Sequence, residues 1–164
     1  MIKYNDLFLI PPIYIFEQSF EIIIFGEKRI GASVNDGINI NWVGRISDDR
    51  LLRMYYCAAD LVIVPSRQDN LPCVAMESMS CGTPVAAFAV GGLCDLIKHC
   101  ENGWLSAPFD TTDLANGIIW MLEDTHRLHQ LGTNARKFIV ENHNQLRIGK
   151  KYSHFYESIL NKPR

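Results

Sequence analysis

Short apolar runs alternate along this chain with longer stretches whose apolar positions recur every three or four residues. Glu21 to Gly26 reads EIIIFG, a β-branched run closed by glycine, and predicts a buried strand. Ile40 to Gly44, INWVG, predicts a second. Leu61 to Pro65, LVIVP, is apolar throughout, as a strand is when both faces of a parallel sheet are covered. Pro84 to Val90 and Gly103 to Ser106 predict two more, the last entered by the turn Asn102-Gly103.

The intervening segments have helical spacing. Ser47-Asp48-Asp49 supplies a cap and negative charge for a helix that places Leu51, Leu52, Tyr55 and Ala58 or Ala59 on one side. A second helix is expected from about Pro72 to Cys81, and a helical turn from Cys94 to Lys98. Asp113 to Glu123 carries Leu114, Ile118, Met121 and Leu122 on one face. His126 to Asn142 and Gln145 to Leu160 predict two closing helices. Strand and helix alternate for most of the length. That argues for an α/β layer fold with a mainly parallel sheet and a helical tail.

Bulk composition narrows the function classes. A chain of 164 residues, 48% hydrophobic, can bury the core of one ordinary domain. A net charge of −2, with only a mild basic cluster at Arg147, Lys150 and Lys151, gives no reason to expect nucleic acid as a partner. The five cysteines, Cys57, Cys73, Cys81, Cys94 and Cys100, are odd in number and contain no Cys-x-x-Cys pair. They are expected to be reduced, mostly buried thiols of a cytosolic protein, with no metal site. The apolar run from Leu7 to Phe16 is split by Pro11-Pro12 and is too short to span a bilayer. It lacks the flanks of a signal peptide.

Pro65 to Gly92 holds the candidate chemistry. A strand runs into a polar turn, the turn into a helix stopped by Gly82, and a second strand ends at Gly91-Gly92. Ligands of open parallel sheets gather beyond the carboxyl ends of strands. Asn70 is expected at or near the N-cap and Pro72 in the first turn, so that free N–H groups point at that rim. Glu77, between Met76 and Met79 on a mostly covered helix, needs a hydrogen-bonding partner, which a pair of ribose hydroxyls would supply. Asp69 could accept from another sugar ring. Spacing alone leaves a plainer alternative standing: Asp69 as a turn residue bonded to a nearby amide, and Glu77 facing water. Gly91-Gly92 could cradle a phosphate, but the full dinucleotide fingerprint is absent.

The run ADLVIVPSRQDNLPCVAMESMSCGTPVAAFAVGGLCDLI closely resembles the donor-site segment of the group 1 family of retaining glycosyltransferases. The family hallmark is two acidic residues separated by seven, here Asp69 and Glu77, followed by Gly-x-Pro-Val. Trp42-Val43-Gly44, Asn102-Gly103-Trp104-Leu105 and Asp113-Leu114-Ala115 extend the likeness from about Glu21 to Leu160. The resemblance implies a Rossmann-like three-layer domain over residues 21–164, preceded by a poorly matching segment 1–20. It implies that Glu77 binds the nucleotide ribose and Asp69 the donor sugar. Amides around Asn70, Leu71, Cys73 and Val74 would meet the sugar and the distal phosphate, and Gly44, Arg45 and Ile46 would border the base. Pro72 replaces a glycine of the commoner pattern and removes one donor.

The reaction so implied moves a sugar from a nucleotide diphosphate to an acceptor hydroxyl with retention, in bacterial polysaccharide or glycan synthesis. No metal-binding Asp-x-Asp is present, and no cofactor beyond the nucleotide sugar is expected. The family's acceptor-binding domain and its Arg and Lys pyrophosphate clamp find no counterpart here; before Glu21 only Lys3 is basic, and Lys28 and Arg29 are poor substitutes. The expectation is therefore a cytoplasmic donor-binding half, inactive in isolation. Any peripheral contact with the inner face of the plasma membrane would come through the other half. The alternative is an inactive nucleotide-sugar-binding fragment, or a subunit completed by another chain. A nucleotide-sugar epimerase on the same plan lacks a motif of its own here, and a receiver-like domain lacks its paired acids and lysine.

Overall fold

The computed structural model describes residues 2–3, 21–26 and 39–161. Strands β1 (Ile2–Lys3), β2 (Glu21–Phe25), β3 (Asn39–Gly44), β4 (Val62–Val64), β5 (Val85–Phe88) and β6 (Gly103–Ser106) form one sheet in the order β3-β2-β1-β4-β5-β6. Every pairing is parallel. Between and after them run α1 (Asp49–Ala58), α2 (Cys73–Ser80), α3 (Leu93–Leu96), α4 (Thr111–Leu122), α5 (Thr125–Asn142) and α6 (Gln145–Leu160). The order runs outward from β1 in both directions, which puts the topological switch between β1 and β4. Ile2 pairs with both Ile24 and Ile63, so two residues from the segment ahead of Glu21 lie at the centre of the sheet.

Period-two alternation sorts the central strands onto two faces. Phe25, Val62, Val64, Val85 and Ala87 pack on one side with Tyr56, Met79, Ala135 and Ile139. Ile24, Ile63, Ala86 and Phe88 pack on the other with Leu114, Ile118, Met121 and Leu131. Helices therefore cover both faces, which is why LVIVP has no polar position.

The register of α1, the starts of α3 and α4 and the burial of the thiols differ from expectation; α3 spans Leu93–Leu96 and not Cys94 to Lys98. On α1, Leu51 is 44% exposed, and the inward stripe is Leu52, Tyr55, Tyr56 and Ala59, with Tyr56 only 1% exposed. That stripe keeps the three-four spacing, so periodicity could not choose between them. Helix α4 starts at Thr111 rather than Asp113, because the Asp110 carboxylate accepts from the amides of Thr112 (3.0 Å) and Asp113 (2.9 Å). The thiols are not mostly buried. Cys57, Cys73, Cys94 and Cys100 are exposed and Cys81 is half-buried, since they fall on outward helix positions, helix ends and turns.

Helix α6 keeps its expected bounds, capped by Asn144 through the Arg147 amide at 2.8 Å. None of its residues is buried. Among the described residues no helix is long and apolar enough to cross a membrane.

Candidate functional site

The site is built where β4 ends. Pro65 and Ser66 are still buried, and the chain surfaces at Arg67. Helix α2 begins later than the sequence suggests. Pro72, with φ −67° and ψ 119°, is the N-cap and makes no side-chain cap bond; Asn70 lies outside the helix. The reason is local: an extended Pro72 cannot be a helical residue, and its ring also holds the preceding residue away from the α region. The amides of Ala75 (3.1 Å) and Met76 (3.4 Å) close on the Pro72 carbonyl. Among the described residues, the amides of Asn70, Leu71, Cys73 and Val74 have no acceptor. Two of these open α2, where the helix dipole adds partial positive charge.

The far end of α2 closes as expected. Gly82, at φ 83°, follows the C-cap Cys81; its amide bonds Met79 O and the Thr83 amide bonds Ser78 O, both near 3 Å. This is a Schellman closure, and it requires the left-handed residue that glycine provides.

Gly91-Gly92 opens no helix with free amides. The helix after it, α3, has four residues, and the amides of Leu93, Cys94 and Asp95 already bond Val90, Gly91 and Gly92 carbonyls. The pair instead permits close approach. A Cβ on Gly91 would lie 1.8 Å from Asp69 O, and one on Gly92 would lie 1.9 Å from Asn70 O. The turn after β5 thus braces the loop that carries the candidate residues, backbone against backbone.

Asp69 is half-buried in that loop, and among the described residues its side chain accepts no hydrogen bond. The turn bond of the plainer alternative does not occur there. Asn70 and Leu71 are exposed, Cys73 is exposed and Val74 buried. Glu77 lies one turn into α2 and is exposed, facing water as the plainer alternative had it and not covered as its Met neighbours suggested; its Oε2 accepts from Tyr56 Oη at 2.9 Å. Gly44 ends β3 with φ 71°, followed by exposed Arg45 and by Ile46, which packs against the α1–α2 side of the core. Asp69 to Val74 run from the end of β4 into the start of α2, and Glu77 follows one turn into that helix, in contact with α1. Gly44 ends the edge strand β3, with Arg45 and Ile46 just beyond it, three strands from β4, or about 14 Å at ~4.8 Å per strand. Lys28 and Arg29 lie outside the described residues.

Two neighbours escaped sequence reading. Tyr56 touches Glu77 from another helix. Arg67 stacks its guanidinium over the Phe109 ring at 4.7 Å, and that ring meets Phe88 edge-on at 6.1 Å. Each contact joins separate elements, and nothing in local spacing signals it.

Burial, and then the charge on Glu77, hold the Tyr56 phenol well above its ordinary value of 10.0. Burial and Cys57 push the Cys81 thiol from 9.0 up to about 11. Both groups keep their protons in the fold at pH values where the unfolded chain loses them. Their stabilisation is complete below about pH 9 and is lost as pH rises toward and beyond the folded values. Urea midpoints are expected to fall above about pH 9, and to fall less steeply beyond about pH 10 in Tyr56→Phe.

Residues 18–138 match the sequence profile "Glycosyl transferases group 1", and the chain belongs to that family. It is 40% identical over 88 residues to a D-inositol 3-phosphate glycosyltransferase of Catenulispora acidiphila, covering 54% of this chain and 21% of the relative. An uncharacterized glycosyltransferase of Methanocaldococcus jannaschii is 33% identical over 116 residues, covering 71% and 30%. The fold matches sucrose-phosphate synthase of Thermosynechococcus elongatus with TM-score 0.74 and 32% identity, over 84% of this chain and 38% of that one. The Anabaena protein HepE, crystallised with UDP-glucose, matches with TM-score 0.71 and 25% identity, over 83% and 40%. The chain thus spans well under half the length of these relatives.

Proposed function

We propose that this chain supplies the donor side of a retaining sugar transfer, holding a nucleotide-diphosphate sugar across the carboxyl ends of its strands. The observation that carries this reading is the rim from Asp69 to Glu77. Four uncommitted amides, at Asn70, Leu71, Cys73 and Val74, stand beside two carboxylates on a braced loop and a helix start. Amides suit phosphate oxygens and the polarised hydroxyls of a sugar. Carboxylates suit vicinal hydroxyls, because each offers two acceptor oxygens. Glu77 takes the ribose, Asp69 the donor sugar, and Gly44 to Ile46 border the base. The separation between β3 and β4 is one that base, ribose, diphosphate and sugar in line can bridge.

The chemical task is electrostatic. As the anomeric bond breaks, negative charge grows on the leaving diphosphate, and preorganised N–H dipoles at the start of α2 stabilise it without reorganising. The acceptor hydroxyl is presented by a second domain, in the same polypeptide or another, and this domain alone binds donor without transferring sugar. The UDP-glucose bound in the HepE structure supports a nucleotide sugar as the ligand class. The setting is glycan or polysaccharide synthesis at the cytoplasmic side, with no metal or further cofactor.

Calorimetric titration with UDP, GDP and ADP tests the reading. One of the three is expected to bind, and Glu77→Ala is expected to weaken that nucleotide by roughly 1.5–3 kcal/mol, the range for a hydrogen bond to a charged group. Unchanged affinity in the variant, or binding of none of the three, refutes it.

A further inference from the structure

The geometry points to Tyr56 as a positioning residue for the donor. We propose that its hydroxyl fixes the Glu77 carboxylate so that Oε1 stays presented to the ribose. The inference rests on the ribose-binding reading of Glu77 and adds to it the group that sets the carboxylate's direction.

Glu77 by itself is poorly suited to precise recognition. It is exposed on the outer part of α2, and a free glutamate there samples many rotamers. Immobilising such a chain when a ligand arrives costs affinity. Tyr56 removes that cost in advance. Its ring is 1% exposed and packs edge-on against Phe25, with centroids 6.1 Å apart and planes at 83°. Its backbone carbonyl accepts from Thr83 Oγ1 at 2.6 Å. Its hydroxyl donates to Glu77 Oε2 at 2.9 Å. One residue of α1 is thus tied both to the middle of α2 and to the turn that ends it. The donor atom is held by the core, and the acceptor is a surface side chain.

The chemistry of the bond leaves the ligand-facing capacity intact. A phenol donates a single proton, so only one acceptor site on Oε2 is used. Among the described residues Oε1 has no partner. Burial and the Glu77 charge also keep the phenol protonated in mildly alkaline solution, so the bond does not open there.

The test compares the tightest-binding nucleoside diphosphate of UDP, GDP and ADP with its 2′,3′-dideoxy analogue, using the full chain. The ratio of their dissociation constants reads the ribose hydroxyls alone. Wild type is expected to favour the hydroxylated ligand about tenfold or more, and Glu77→Gln to erase most of that preference. Tyr56→Phe keeps the ring and is expected to reduce the ratio roughly threefold to tenfold, the cost of immobilising one flexible side chain. Affinity for the dideoxy analogue should stay unchanged. In the double variant, Tyr56→Phe should add nothing. If Tyr56→Phe leaves the ratio as in wild type while Glu77→Gln lowers it, the positioning role falls and the ribose reading survives. If it weakens both ligands equally, or lowers the urea midpoint enough to leave unfolded chain in the titration, the hydroxyl serves the fold and the proposal is overturned. If Glu77→Gln leaves the ratio untouched, the ribose reading fails and takes this inference with it.

Discussion

Replacing Gly92 by alanine is expected to cost about 3 kcal/mol of stability, or to abolish most nucleotide binding, or to divide its effect between the two. The added Cβ would stand 1.9 Å from Asn70 O and 3.0 Å from Leu71 Cδ1. Ordinary removal of a glycine stabilises by about 0.4–1 kcal/mol through the unfolded chain. Overpacking against atoms that cannot move costs about 1–3 kcal/mol and sometimes more. Here the opposing atom is a backbone carbonyl, so the clash wins. Relief comes by pushing the Asp69–Asn70 loop outward, which spoils the rim, or by straining the turn after β5, which lowers stability. Gly91→Ala meets Asp69 O at 1.8 Å and adds a left-handed φ of 50°. Gly149→Ala is the control. Nothing lies within 4 Å of its Cβ, and in α6 it should gain up to about 1 kcal/mol from helix propensity. Urea denaturation and nucleotide titration of the three variants decide the matter. A Gly92→Ala protein as stable and as competent as wild type contradicts the backbone contact.

Tyr56→Ala is expected to destabilise the fold by about 3–5 kcal/mol, the range for deleting a buried aromatic side chain. The ring belongs to the cluster of Phe25, Val62, Met79 and Ala135, and its loss opens a cavity between α1 and the sheet. Tyr56→Phe should stay within about 1 kcal/mol of wild type, since Glu77 is exposed and water can replace the lost donor. The pair of variants separates ring from hydroxyl: the first should move the urea midpoint, the second the ribose preference. Equal midpoints for Tyr56→Ala and wild type would mean that α1 does not pack as described.

Elements whose signals are local were legible. β6 occupies Gly103–Ser106 and α6 Gln145–Leu160, the bounds their patterns suggest. LVIVP reads as a strand covered on both faces because helices do cover both. The Asp69 and Glu77 spacing, with the segments around it, identified the family that the profile match over residues 18–138 shows. Errors came where two registers satisfy one pattern, as with Leu51 against Tyr56, or where a cap decides a boundary, as with Asp110 and Pro72.

By itself the sequence determined the alternation of strands and helices, the acidic pair, and the glycine that ends α2, because each depends on residues within a turn or two of one another. Tertiary structure alone decided that Ile2–Lys3 lies at the centre of the sheet, that Gly91-Gly92 braces the Asp69 loop, and that Tyr56 reaches Glu77 across 21 positions. A two-residue strand has no period to read. Contacts between distant segments depend on how layers pack, and no local preference of the chain encodes that.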